Sequence, residues 1–499
     1  MIFTMGKKIC SVLAGLALAA FSAGASETAD TLSIKNKNTL LRSDMGVHPW
    51  IAAAEVTGIN VFVWARDFLA DKPYAKMTFK AVKDNFTKGL VWDNDGLTTN
   101  HFGHAYHGGL YHGAARVNGL NFWQSLPYDL AGSAMWEFFA EIEPPAINDL
   151  LVTTFGGAFI GEVMYRSSNL ILRDNTTGGE RILREAGAFL INPIGAVNRF
   201  LNGDLWKVRN TGYLYHDYEL IPVEVSLSAG GRIMAEDINF KDITTGPYLH
   251  LGLNYGQAAE AEQNSPFDFF TADITFTPSS SQKFINSIQL VGRLWGKTLE
   301  EADSRPNSFS SSFGIFQHYN YYNGCPVSGG NGQLSTSFSE SVSFGPGFYF
   351  NWQREGFIKN VTQGVFANTI LMGGVYSDYF RHIDRDYNMG SGFSLKSSTR
   401  AELAGGIKFD LDVKYYRIYT WDGCERKDFT NVEPLFYNTL GNEGNAQLAV
   451  VEARVEKSIS KVTGIELCGA FYHRDTHYKF QENISCTTID VKAGLVFHF

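Results

Sequence analysis

The chain has 499 residues, of which 44% are hydrophobic and 19% charged, with a net charge of −9. Those values exclude a helical inner-membrane transporter, which would be far more apolar, and a disordered chain, which would be more charged and less aromatic. The acidic balance offers no basic face to replace counterions, so no nucleic-acid partner is expected.

The N-terminus reads as a secretory signal over residues 1–25. Lys7 and Lys8 supply the charged start, Ile9 to Phe21 the short apolar run, and Ala23-Gly24-Ala25 the small-residue cleavage site. Ser26 then begins the mature chain, with a polar extension over 26–45. Cys10 lies at the start of the apolar run rather than at its end, which argues against a lipoprotein anchor. Export permits disulfides among Cys325, Cys424, Cys468 and Cys486. Four cysteines allow three pairings, and neither pairing nor free thiols can be chosen from the sequence.

Residues 46–206 read as a glycine-rich helical domain. Trp50–Leu69 is a first helix, interrupted by Glu55, Asn60, Arg66 and Asp67, so it is too polar to stop in a membrane. A second runs from about Thr99 to Asn118. A third spans about 129–142, after Pro127 and before Pro144-Pro145. A fourth covers about Ile147 to Ser168. A fifth covers Gly179 to Leu190, and Pro193 separates it from a shorter successor.

The second helix carries Asn100, His104, His107 and Tyr111 as one stripe, with His112 and Arg116 as a neighbouring i, i+4 pair. Gly103, Gly108, Gly109 and Gly113 weaken it as a helix unless another backbone comes close. The third helix offers Glu137 and Glu141 one turn apart. The fourth offers Asp149, then Glu162 and Arg166 at ion-pair spacing. His104, His107, Glu137 and Glu141 are the candidate catalytic groups. Histidine and carboxylate are the usual ligands of a divalent metal and the usual acid and base near neutral pH. Asn100, His112, Arg116, Asp149, Glu162 and Arg166 form a binding or structural polar network. The competing account is structural throughout: ion-pair networks commonly mimic active sites. HxxH lacks the stronger HExxH signature, and no GxSxG is present.

The run Asn100, His104, His107-Gly108, Tyr111, Arg116, Gly132-Ser133, Trp136-Glu137, Glu141, Asp149-Leu150, Gly156-Gly157 and Gly161-Glu162 resembles the family called domain of unknown function 3943. The resemblance covers about residues 92–168. It implies an envelope protein of a Gram-negative bacterium, of the kind frequent in Bacteroidota. The family carries no established activity, so the resemblance assigns no catalytic residue.

From about Thr211 the pattern changes to period two, giving an expected barrel over 212–499. Ile489, Val491, Ala493, Leu495 and Phe497 alternate with Thr488, Asp490, Lys492 and His498, and the chain stops on Phe499. A terminal aromatic on such a strand resembles the signal read by outer-membrane barrel assembly machinery. Similar alternation recurs in about twelve segments, near 221–234, 246–256, 266–277, 285–298, 308–320, 341–353, 362–376, 394–406, 408–421, 446–457, 462–475 and 487–499. Their length suits a tilted bilayer crossing, and aromatics such as Tyr415, Tyr419 and Trp421 cluster near the ends. Surface loops are expected at 299–307, 321–340 and 422–445. The polar face mixes signs, with Glu224, Arg293, Arg400, Glu402, Lys408, Asp410, Glu452 and Arg454. That mixture favours an internal ion-pair network over a wide selective pore.

The expected class is therefore α+β: a helical domain followed by an antiparallel transmembrane β-barrel in the outer membrane, in contact with its lipid. Three roles stay open. The first is a barrel plugged or braced by the helices, serving envelope transport or integrity, with part of the Gly-rich region inside the barrel. The second is an enzyme hydrolysing or transferring on lipid A or phospholipid, with a divalent metal as candidate cofactor. The third is a surface binding protein.

Overall fold

The computed structural model describes residues 46–208 and 221–499, apart from short stretches at 241, 262–265, 280–281, 302–306, 326–334, 383 and 433–436. The expected signal, its cleavage site and the 26–45 extension lie outside the described residues. The chain forms two compact units. One is helical. The other combines Val91–Gly103 with Val223–His498.

The helices are α1 (Pro49–Leu69), α2 (Phe79–Thr87), α3 (His104–Val117), α4 (Phe122–Phe139), α5 (Ile147–Leu151), α6 (Gly157–Ile171), α7 (Gly178–Ile191) and α8 (Pro193–Leu201). Two π-helical turns, Thr98–Gly103 and Val152–Gly156, lead directly into α3 and α6. Helix α2 was not expected. It starts where the Thr78 hydroxyl accepts from the Ala81 amide. Helix α4 begins well before the expected residue 129. Asn121 and Gln124 form a reciprocal capping box, and Pro127 is carried inside the helix rather than ahead of it. Among the described residues no helix is long and apolar enough to cross a membrane.

Helices α3 and α6 meet at backbone distance. A Cβ at Gly108 would lie 1.8 Å from the Thr153 carbonyl oxygen, and one at Gly157 would lie 2.6 Å from the Gly108 Cα. Only glycine permits that approach, so the residues that weaken the helix are the ones that dock it.

The other unit is a closed antiparallel barrel of twelve strands in simple sequential order. The strands are β1 (Val223–Glu236), β2 (Asp242–Tyr255), β3 (Phe270–Phe276), β4 (Ile285–Glu300), β5 (Ser308–Asn323), β6 (Ser337–Gln353), β7 (Ile358–Tyr376), β8 (Tyr387–Leu403), β9 (Ile407–Thr420), β10 (Gly444–Ser458), β11 (Thr463–Tyr478) and β12 (Ile484–His498). Pairing of β1 with β12, Leu227 opposite Phe497, completes the ring. Closure leaves no unpaired edge, which is the condition for strands to sit in lipid. The expected loop at 321–340 is shorter than expected, because β5 runs to Asn323 and β6 starts at Ser337. All four described cysteines are unpaired.

Alternation sorts the side chains as the sequence implies. On β10, Val451 and Val455 are exposed on the outer wall. Glu452 and Arg454 point inwards, where Glu452 accepts from Lys414 of β9 at 2.7 Å and Arg454 meets Glu466 of β11 at 2.5 Å.

Among the described residues, side chains fill the lumen at four levels. At the end where β1 begins, the β2–β3 connection folds in. Arg293 holds it through Asp268 at 2.7 Å and the carbonyls of Gln257, Ala258 and Glu260. Phe269 from that connection packs on Phe316, Tyr349 and Phe366. A charged layer follows, in which Arg400 reaches Asn254 on the opposite wall and Lys414 reaches Gln289. Next comes an apolar layer including Tyr322, Phe338, Ile370, Tyr416, Leu448 and Tyr472. At the far end Arg474 closes on Asp378 of the β7–β8 loop at 2.8 Å.

Of the Gly-rich region, only the part within Val91–Gly103 belongs to this unit, and it does not enter the lumen. Val91–Gly103 packs on the outer faces of β5 to β8. Tyr319 donates to the His101 carbonyl at 2.5 Å, and Ser341 Oγ is 2.5 Å from His101 Nδ1. Tyr321 donates to Thr98, and Asn100 donates to Tyr387 Oη at 2.8 Å. Tyr319 and Tyr321 alternate with the inward His318, Asn320 and Tyr322, so they face out. Gly374 of β7 makes room, since a Cβ there would come 2.7 Å from His101 Nε2.

Candidate functional site

The candidate polar residues of the helical unit separate into two centres and some outliers. The first centre joins His104 at the start of α3, Glu137 near the end of α4 and Asp149 on α5. One potential ligand atom from each lies within 4.8 Å of the others. His104 Nε2 is 3.5 Å from Asp149 Oδ1. Its Nδ1 is 3.4 Å from the Thr153 hydroxyl. The Ala146 amide donates to Glu137 Oε2 at 2.8 Å, and Asn148 donates to Asp149 Oδ1 at 2.7 Å. Glu137 and Asp149 are 1% and 3% exposed, whereas the His104 side chain keeps 14%.

The second centre is an ion network with no exposed member at its heart. His112 Nδ1 lies 2.8 Å from Asp129 and its Nε2 3.3 Å from Glu162. Glu162 also accepts from Arg116 at 2.6 Å and from Arg166 at 2.7 Å. Burial alone would lower the pKa of His112, but the facing carboxylates of Asp129 and Glu162 raise it to about 9. Burial lifts Asp129 to about 6 against the pull of His112. Burial also opposes ionisation of Glu162, yet Arg116, Arg166 and His112 together hold it well below the carboxylate range. The expected Glu162–Arg166 pair is present. Asp129, its essential neighbour, was not singled out. It belongs to a polar stripe on α4, Ser125, Asp129, Ser133 and Glu137, that helical spacing does reveal.

The remaining candidates go elsewhere. His107 lies outside both centres, 3.1 Å from the Tyr111 hydroxyl and edge-on to Trp136. Burial pushes its pKa down to about 3, with the charge of His104 adding to the effect, so it is neutral at physiological pH. Glu141 accepts from the Trp136 indole at 2.9 Å. Asn100 leaves the expected stripe altogether. The π-helical turn breaks the α phase ahead of His104, and Asn100 belongs with the barrel unit.

Residues 89–194 match the family model described as Domain of unknown function (DUF3943). The DUF3943 match takes in both centres, both π-helical turns and the Val91–Gly103 segment, and ends ahead of the first strand. No curated protein matches the chain. Solved structures similar to it include two porins and an outer membrane channel. The NanC porin is 11% identical, with 55% of this chain and 99% of that one covered and a TM-score of 0.25. The anion-selective porin from Comamonas acidovorans is 7% identical, with 56% and 99% covered and a TM-score of 0.19. The outer membrane channel DcaP of Acinetobacter baumannii is 8% identical, with 56% and 97% covered and a TM-score of 0.22.

Proposed function

We propose that this chain is an outer-membrane barrel of the closed kind, which anchors and braces its DUF3943 domain in the cell envelope and serves envelope integrity. The outer membrane is favoured by a closed barrel whose outward positions, such as Val413, Val451, Leu467 and Leu495, are apolar and exposed. The observation that carries the closed role is the filled lumen. Two cavities described among its charged groups are about 50 and 110 Å³. A water-filled porin needs a continuous polar channel instead.

Planar-bilayer recording on the purified full chain tests this reading. Insertion without stepwise conductance is expected. Sustained unitary steps from the wild-type protein would replace the anchor with a channel.

A further inference from the structure

We propose that His104, Glu137 and Asp149 bind one divalent transition-metal ion of the zinc class. This inference does not rest on the anchoring role and survives its failure.

The donor set is one imidazole and two carboxylates, a common combination for zinc. Ligands held about 2.0–2.2 Å from one ion sit roughly 3–3.6 Å apart. His104 and Asp149 are already at 3.5 Å. Glu137 completes the set within 4.8 Å, so an ion would draw its carboxylate in by up to about 1 Å.

The three groups come from three helices, far apart in sequence, so local spacing alone does not bring them together. The α3–α6 glycine contact does, by pressing Gly108 against the Thr153 carbonyl. The π-helical turn Thr98–Gly103 ends one residue before His104, and Val152–Gly156 begins three residues after Asp149. Such turns cost helix regularity and collect at functional sites. Here two of them bracket two of the three donors.

Each donor also has a hydrogen-bonding neighbour. Thr153 sits against Nδ1 of His104, which leaves Nε2 turned to the carboxylates. The Ala146 backbone N–H donates to Glu137 Oε2, and the Asn148 side chain donates to Asp149 Oδ1, the oxygen that also faces His104. Outer contacts of this type orient metal ligands. Two carboxylates this deeply buried neutralise a dication, with the imidazole as a neutral third ligand. The exposed edge of His104 leaves a side for water as fourth ligand.

The test uses the full chain in detergent, without a polyhistidine tag, stripped with chelator and reloaded with Zn²⁺. Elemental analysis after dialysis should give one zinc per chain, and Co²⁺ in its place should give a visible d–d absorption band. Asp149→Asn and His104→Gln should each weaken Zn²⁺ binding by at least about tenfold and remove the band. His473→Gln, beside the exposed Asp475 of β11, should change neither. Heat-dependent gel mobility and helical circular dichroism report folding. If Asp149→Asn does not fold, the partly exposed His104→Gln carries the test. Wild-type protein that retains no zinc, or variants that retain it as well as wild type, would overturn the proposal.

Discussion

Lys414 and Glu452 in the barrel, and Arg116 and Glu162 in the helical unit, are both buried ion pairs, at 2.7 and 2.6 Å. Their surroundings differ. In the barrel, period-two alternation puts charges inside and apolar groups outside, and neighbouring strands supply the partners. In the helical unit, five ionic groups beside the α3–α6 contact share one knot, apart from a second buried cluster of Arg181, Arg199, Asp174 and Glu185. The barrel spreads its charge over many pairs, so each pair is replaceable. The helical unit concentrates it, so one residue holds three cations.

The sharpest way to break that contrast is Glu162→Ala. It leaves His112, Arg116 and Arg166 facing a hole, and should cost the helical unit about 3–5 kcal/mol. Denaturant unfolding followed by tryptophan fluorescence reads it. A loss near zero would mean that the knot is as redundant as the barrel lining.

Next in size is the barrel's outer wall. Val451→Arg, midway along β10, should destabilise the barrel in vesicles by about 2–4 kcal/mol, the range for a cation at the bilayer midplane. Urea unfolding in liposomes measures it, and tolerance of the arginine would place that face away from lipid.

The smallest effect is on pH. His112 titrates at about 9 when folded and at 6.5 otherwise, so its contribution is complete below 6.5 and disappears as pH rises through 9. His107 and Asp129 have already lost their protons above that lower limit. Stability of the helical unit should fall by about 1–3 kcal/mol between pH 6.5 and 9. His112→Gln should flatten the slope; a slope that persists in that variant assigns it to another group.

The barrel was legible because alternation repeats twelve times. The last strand, expected at 487–499, is Ile484–His498. The helices were legible where apolar periodicity was long, as in α1, and failed where a cap decided the start, as at Thr78 and Asn121. In the site, His104 and Glu137 were read as chemistry, and Asp149 was placed in the polar network although it stands beside them. Asp129 shares the polar stripe of α4 with Ser125, Ser133 and Glu137, but the spacing of one helix does not show which partner on another helix will face it. The seat of residues 91–103 had a signal that was passed over. Ser337, Ser339 and Ser341 are hydroxyls in the outward phase of β6, and bare lipid offers them no partner.

That seat also bears on how such a protein descends. The chain leaves the helical unit at Leu90, contributes thirteen residues to the barrel unit, and returns at His104. No single cut separates the two. A gene truncated ahead of the first strand would encode a barrel lacking the segment that covers Tyr319, Tyr387 and the serine row. Recombination between unrelated genes therefore has no clean joint to use, and the two halves should be inherited together.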